Sequence, residues 1–102
     1  MEFAELKKKI QEEVDIQPVD FIEETHNNIP VGYFQLNSIQ RLLFSIQEYR
    51  GRKYFDIRTW YQSDSGEWKP TKKGVHLSFD KYDEFKELCG LFAKIIPMDD
   101  GD

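Results

Sequence analysis

The sequence is poor in the side chains that bind metals or carry out covalent chemistry. It has one cysteine, Cys89, so an internal disulfide is excluded, and its two histidines, His26 and His76, are widely spaced from it and from each other. This spacing does not match a zinc site, and neither histidine has a nearby nucleophile or paired acid. The sequence therefore predicts a protein that is not an enzyme and uses no metal or cofactor.

Long apolar runs are also lacking. No stretch approaches the length that spans a bilayer, and the amino terminus is charged from Glu2 onward, unlike a secretory signal. A lone cysteine fits a reducing compartment. We therefore expect an intracellular protein without a membrane partner.

The net charge of −5 is distributed unevenly along the 102 residues. Residues 1–40 carry −5 and residues 75–102 carry −4, whereas residues 41–74 hold eight basic and four acidic side chains, a net +4. Local charge decides where a polyanion docks. Aromatic residues make up 15% of the chain, so we expect some of these rings to have a role other than packing in the core.

Helical spacing marks the amino-terminal end. Phe3, Leu6, Ile10 and Val14 fall on one side of a helix predicted over residues 2–14. Prolines, a glycine and an asparagine pair then predict an irregular connection over residues 15–32. We divide the chain into a helix with an irregular extension (1–32), one domain (33–97) and an acidic tail (98–102).

Strand patterns fill most of the predicted domain. One stretch begins at 33–36 and resumes over 42–49, a second covers 53–61 and a third covers about 68–77, with turns at Arg50–Gly51 and 64–66. In the second stretch Phe55 and Ile57 alternate with Arg58 and Trp60, so the two pairs lie on opposite faces. The sequence thus predicts one sheet with an apolar face and a basic, aromatic face.

A second helix is predicted from an N-cap at Ser78 to Pro97. Its apolar side chains cover about half of its circumference, more than packing on one sheet requires. Either a second copy of the chain packs there, with Gly90 allowing close approach, or the amino-terminal helix covers the surplus. We expect a homodimer, with Cys89 packed rather than reactive, and with an interface formed by Phe85, Leu88, Cys89, Phe92, Ile95 and Ile96.

Several motifs, in their order and spacing, resemble the single-stranded-DNA-binding domain of the transcriptional coactivator family called positive cofactor four. They are Phe34–Leu36, the hairpin Tyr49–Arg52, the strand Phe55–Tyr61 and the stretch Gly66–Val75, ahead of a carboxy-terminal helix. The resemblance spans about two thirds of the chain. Residues 1–32 and 98–102 have no counterpart in it.

The resemblance implies an α+β fold: a curved four-stranded antiparallel sheet, one helix after it, and a homodimer that binds single-stranded DNA without strong sequence preference. Tyr49 and Tyr61 match base-stacking positions, and Arg50, Arg52, Arg58, Lys69 and Lys73 match backbone-contacting ones. Leu42 and Gln47 replace basic residues and Thr71 replaces a glycine, with Lys72 as a compensating cation. We therefore expect the protein in the cytoplasm or associated with the nucleoid.

Each site residue has a second interpretation. Cations with flat rings suit single-strand binding, and Trp60 and Trp68 join the predicted site on that ground. Yet Tyr49, Tyr61 and both tryptophans are also typical of aromatic residues that pack at a sheet rim. Lys69, Lys72 and Lys73 are also typical of solvated side chains that protect a sheet edge from aggregation.

Two functions therefore remain open. The first is single-stranded DNA binding in transcription, replication or repair, with RNA as an alternative ligand. The second is a protein-interaction module whose amino-terminal helix and acidic tail contact polymerase or another factor.

Overall fold

A computed structural model describes residues 1–23 and 25–99. Its first element is α1, Phe3–Glu13, close to the predicted helix. Val14 is already extended, and Phe3 is buried. Residues 15–23 continue without helix or strand, as predicted for this stretch. The predicted acidic tail consists largely of residues 100–102, which lie outside the described residues.

Four antiparallel strands follow in the order of the chain, which confirms the predicted open sheet. They are β1 Asn28–Asn37, β2 Gln40–Tyr49, β3 Arg52–Gln62 and β4 Trp68–Ser78. The prediction of irregular chain up to residue 32 was wrong, because β1 begins at Asn28. Pro30 and Gly32 are tolerated since β1 is an edge strand and its register with β2 shifts between them.

The β2–β3 hairpin turns on two residues with positive φ, Arg50 at 51° and Gly51 at 77°. Glycine accepts this conformation easily, whereas arginine does so at a cost. The two-residue turn pairs Tyr49 with Arg52 and fixes the register along the whole hairpin.

That register separates two faces. Tyr49, Gln47, Ser45 and Leu43 on β2 pair with Arg52, Tyr54, Asp56 and Arg58 on β3; we call this side the polar face. The other side, the apolar face, carries the pairs Phe44–Ile57 and Ile46–Phe55. The predicted alternation of β3 is thus confirmed.

The second helix, α2, runs over Tyr82–Ile95 and follows a 3-10 turn, Phe79–Lys81. Ser78 therefore precedes the turn and does not cap α2; its hydroxyl bonds the Asp80 carboxylate, which lowers the pKa of Asp80. Tyr82 and Phe85 contact Phe55 of the apolar face at 5.7 and 5.2 Å between ring centroids. These contacts fix the start of α2 against the sheet.

Most of the apolar stripe on α2 stays exposed within one chain. Leu88, Phe92, Ile95 and Ile96 are 56–67% exposed, so α1 does not cover them, and the second explanation of the surplus stripe was wrong. Cys89 is also exposed within one chain and lies at a groove between α2 and the apolar face, and its packing in a dimer interface stays a prediction. Among the described residues no helix has the length and apolarity to cross a membrane.

Candidate nucleic-acid interface

The hairpin tip presents an aromatic ring beside two cations. The Tyr49 side chain is 59% exposed, and the Arg50 guanidinium carbon lies 5.1 Å from its ring centroid. Arg52 is the cross-strand partner of Tyr49, so strand pairing places it on the same face. The tip therefore offers an accessible ring with positive charge next to it, the combination that single-stranded nucleic acid requires.

At the centre of the polar face, Arg58 is held by a buried carboxylate. Asp56 is 3% exposed, and it accepts hydrogen bonds from Arg58 Nη2 at 2.8 Å and Nε at 3.2 Å. This pairing raises the pKa of Arg58. His76 Nδ1 lies 3.1 Å from the same carboxylate, and its ring stacks on Tyr54 at 4.5 Å. Asp56 thus orients Arg58.

The bulged stretch of β4 completes the support of Arg58. Its Nη1 donates to the Thr71 carbonyl oxygen at 3.0 Å, while the Thr71 hydroxyl donates to the Thr59 carbonyl oxygen at 2.7 Å. The same hydroxyl accepts from the backbone N–H of Lys73. Gly74 faces Arg58 across the strands, where an added Cβ would lie 2.9 Å from Arg58 Cα. Thr71, which departs from the family pattern, organises this bulge, and the side chains of Lys72 and Lys73 remain exposed.

A cluster that we call the aromatic notch lies at the other end of the polar face. It consists of Tyr33, Arg41, Trp60 and Trp68, and the guanidinium of Arg41 lies 4.7 Å from the Tyr33 ring centroid and 4.1 Å from that of Trp68. Arg41 Nε also donates to Gln35 Oε1 at 3.0 Å. Sequence reasoning missed Tyr33 and Arg41 as site residues, although Arg41 was visible as the first cation of the basic stretch.

Between the notch and the hairpin tip lies a polar pocket of about 340 Å³, with Asn28, Gln47, Arg58 and Trp60 in its walls. Within the described part of the chain, Asn28 Oδ1 and Trp60 Nε1 are buried side-chain atoms without a hydrogen-bond partner. Buried polar groups are normally paired, so both atoms mark this pocket as unusual. Asn28 belongs to the stretch predicted as irregular, and no sequence signal pointed to it.

Two predicted site residues alternate onto the opposite face. Tyr61 pairs with Gln40 and Lys69, at the end of β3 away from the hairpin tip. Its ring is 37% exposed at the sheet margin. The structure therefore brings together Tyr49, Arg50, Arg52, Arg58 and Trp60 on the polar face, with Trp68 beside them, and leaves Tyr61 and Lys69 at its border.

The described residues contain no group of three or more histidine, cysteine, aspartate or glutamate side chains placed to hold a metal ion. The polar face instead offers cations, rings and amides. These groups bind phosphates and bases through charge, stacking and hydrogen bonds.

Comparisons with known proteins place this geometry in a family. The family model described as Transcriptional Coactivator p15 (PC4) matches residues 37–88, half of the chain. The matched range begins at the end of β1 and reaches into α2, so it holds the hairpin tip, Arg58 and the bulged stretch of β4.

Solved structures share the fold. One crystal form of a PC4 homolog from Burkholderia pseudomallei is 22% identical with a TM-score of 0.60, covering 72% of this chain and 99% of that one. A second crystal form is 24% identical, with a TM-score of 0.59 and coverages of 65% and 97%. The bacteriophage T5 homolog of the eukaryotic coactivator PC4, implicated in recombination-dependent DNA replication, is 22% identical with a TM-score of 0.54 and coverages of 72% and 81%.

Proposed function

This chain belongs to the Transcriptional Coactivator p15 (PC4) family, and we propose that it binds single-stranded DNA through the polar face of its sheet. The observation that carries the proposal is the arrangement around Tyr49 and Arg58. An exposed ring lies beside the Arg50 guanidinium at the hairpin tip, with Arg52 as its cross-strand partner, and the central arginine is fixed by a buried carboxylate. Rings accept any base and cations follow the backbone, so the binding is tolerant of sequence.

The preference for single strands follows from the same geometry. Tyr49 can stack only on a base that is splayed out of a duplex, whereas duplex DNA offers the face little beyond its phosphates. Melted duplex binds between these extremes. RNA is the alternative ligand, since the face holds no group dedicated to sensing a 2′-hydroxyl.

The working form that we propose is a homodimer. The groove between α2 and the apolar face is lined by Phe44, Ile46, Phe55 and Phe85, and the stripe of Leu88, Phe92, Ile95 and Ile96 stands exposed next to it. An exposed apolar patch of this kind marks an interface on a soluble protein. A second copy offers the same stripe and groove, so a symmetric pair covers both at once.

We assign the protein a supporting role in transcription, replication or repair inside the cell, in the cytoplasm or at the nucleoid, without catalysis of its own. The phage relative implicated in recombination-dependent DNA replication supports this range of processes. A protein-interaction role for the amino-terminal helix and the acidic tail is the alternative.

Titration of fluorescently labelled oligothymidine at two salt concentrations tests the proposal. We expect saturable binding that weakens at high salt, because phosphate contacts release counterions. Unlabelled duplex should compete poorly per nucleotide. Absence of binding at low salt, or equal competition by duplex, would contradict the proposed function and favour the protein-interaction alternative.

A further inference from the structure

The aromatic notch is filled by a residue from outside the sheet, Phe21. Its ring centroid lies 5.0 Å from that of Tyr33, 5.9 Å from that of Trp60 and 5.4 Å from that of Trp68. The first two contacts are edge-to-face, a geometry that aromatic pairs prefer. The Arg41 guanidinium lies 4.7 Å from the same ring. All members of the notch thus converge on one phenyl ring.

Phe21 is carried by residues 15–23, which join α1 to the sheet and which we call the covering segment. The backbone N–H of Gln17 donates to the Val31 carbonyl oxygen at 3.1 Å, and Gln17 Oε1 accepts from the backbone N–H of Tyr33 at 3.0 Å. These bonds tie the segment to the outer edge of β1. The segment has no helix or strand of its own, and such stretches open at low cost compared with the sheet.

The chemistry of the covering segment resembles that of a nucleotide chain. Asp15, Asp20 and Glu23 give it negative charge, and no lysine or arginine occurs between residues 10 and 40. It therefore places a flat ring against Arg41 and the tryptophans and carries exposed anionic groups within a few residues of that ring. A single strand offers the same combination of rings and anions to its binding protein.

One member of the notch carries an unsatisfied polar atom. Trp60 touches Phe21, and its Nε1 is buried without a hydrogen-bond partner in the described part of the chain. An unpaired buried donor is costly. A water molecule or a ligand acceptor that reached this N–H would remove that cost.

We propose that the aromatic notch is a base-stacking subsite and that Phe21 holds the place of an unpaired nucleobase in the free protein. This inference rests on the proposed function and adds to it a second stacking position, at the opposite end of the polar face from Tyr49. When a strand binds, the covering segment leaves the notch and a base stacks against Trp60 or Trp68. The free protein is thus partly closed, and its apparent affinity is reduced by the fraction of open molecules.

Phe21→Ala, with Phe34→Ala as the matched control, tests the inference by oligothymidine titration. Phe34 is a phenyl ring that is 52% exposed and contacts Phe44 of the apolar face. We expect Phe21→Ala to bind about threefold to tenfold more tightly, the range that corresponds to losing an aromatic pair, and Phe34→Ala to bind as the parent does. Adding Trp60→Ala to Phe21→Ala should abolish the gain.

Tryptophan fluorescence provides an independent readout, since both tryptophans of the chain lie in the notch. Binding should quench it in the parent and in Phe21→Ala. If the parent binds DNA but Phe21→Ala shows neither tighter binding nor quenching, the subsite is refuted while the proposed function stands. Weaker binding by Phe21→Ala also refutes it, because the ring would then assist. If neither the parent nor any variant binds DNA, the proposed function and the subsite are both refuted.

A second variant guards against misfolding of Phe21→Ala, which circular dichroism would reveal. Asp20→Asn combined with Glu23→Gln changes exposed side chains and leaves the ring in place. This double variant should also bind oligothymidine more tightly, because it weakens the electrostatic attraction between the covering segment and the arginines of the polar face. Unchanged or weaker binding by this double variant would overturn the nucleotide-like role of the segment.

Discussion

Replacing Arg58 with alanine tests whether the buried carboxylate of Asp56 depends on its ion pair. The side chain of Asp56 is 3% exposed and that of Arg58 is 23% exposed. Removing one partner of a buried pair costs about 3–5 kcal/mol, because the other charge is left in a poorly solvated site. Here Arg58 is partly solvated and His76 remains 3.1 Å from the carboxylate. We therefore expect a loss of about 2–3 kcal/mol in the free energy of unfolding.

For a chain of this size, such a loss lowers the melting temperature by about 10–20 °C. Thermal and urea unfolding followed by circular dichroism measure it, at one protomer concentration because association stabilises a dimer. Lys73→Ala is the matched control: it removes an exposed cation nearby and should change stability by less than about 0.5 kcal/mol.

The decisive comparison repeats Arg58→Ala in an Asp56→Asn background, where no buried charge needs a partner. There the same substitution should cost less than about 1 kcal/mol. An equal cost in both backgrounds would refute the reasoning, since Arg58 would then stabilise the fold by packing alone. Binding data on Arg58→Ala are informative only at temperatures where the variant is folded.

Tyr49→Ala should lose about 1–3 kcal/mol of binding to oligothymidine with its salt dependence intact, because a stacking ring is removed and no phosphate contact changes; a flatter salt slope would contradict that role. Lys73→Ala should reduce the slope of log affinity against log salt by about 0.7, whereas Lys8→Ala, in α1, should not; the reverse result would place the binding site on α1. Phe92→Asp should convert the dimer to monomers in light scattering, because it buries an unpaired charge in the proposed interface; a parent mass near 12.2 kDa would exclude the dimer outright. Gly74→Ala should destabilise the fold by about 1–3 kcal/mol in urea unfolding, because the added carbon collides with the β3 backbone; an unchanged midpoint would show that β3 and β4 separate easily.

Several of the predicted site residues share one face of the sheet because their sequence signals are local. The hairpin tip follows from an aromatic–basic–glycine–basic run, and strand alternation puts Arg58 and Trp60 on the side opposite Phe55. The same alternation puts Tyr61 on the apolar side, where its ring is exposed at the sheet margin. Its role in binding stays a prediction.

The start of β1 was missed because proline and glycine normally interrupt strands. Pro30 and Gly32 sit where β1 shifts its register against β2, on an outer edge that demands fewer backbone bonds. Their tolerance depends on which strand lies at the edge of the sheet, and that is a property of the assembled sheet rather than of the residues themselves.

The features that could be predicted from the sequence are those encoded by patterns of a few neighbouring residues. Period-two alternation specified the faces of β3, helical spacing specified α1 and α2, and the Arg50–Gly51 turn specified the hairpin. Steric preference and side-chain direction act within one turn or one strand, so these features are readable without the fold. The same motifs, in their order, were enough to indicate the family.

Which distant residues meet depends on the assembled fold. Phe21 contacts Trp60 and Trp68, although some forty residues of chain separate it from these tryptophans. Arg41 lies among the same rings. Such contacts depend on the register of four strands and on which edge of β1 is free to take Gln17. No local preference encodes either, so the cover on the aromatic notch became visible only once the sheet was assembled.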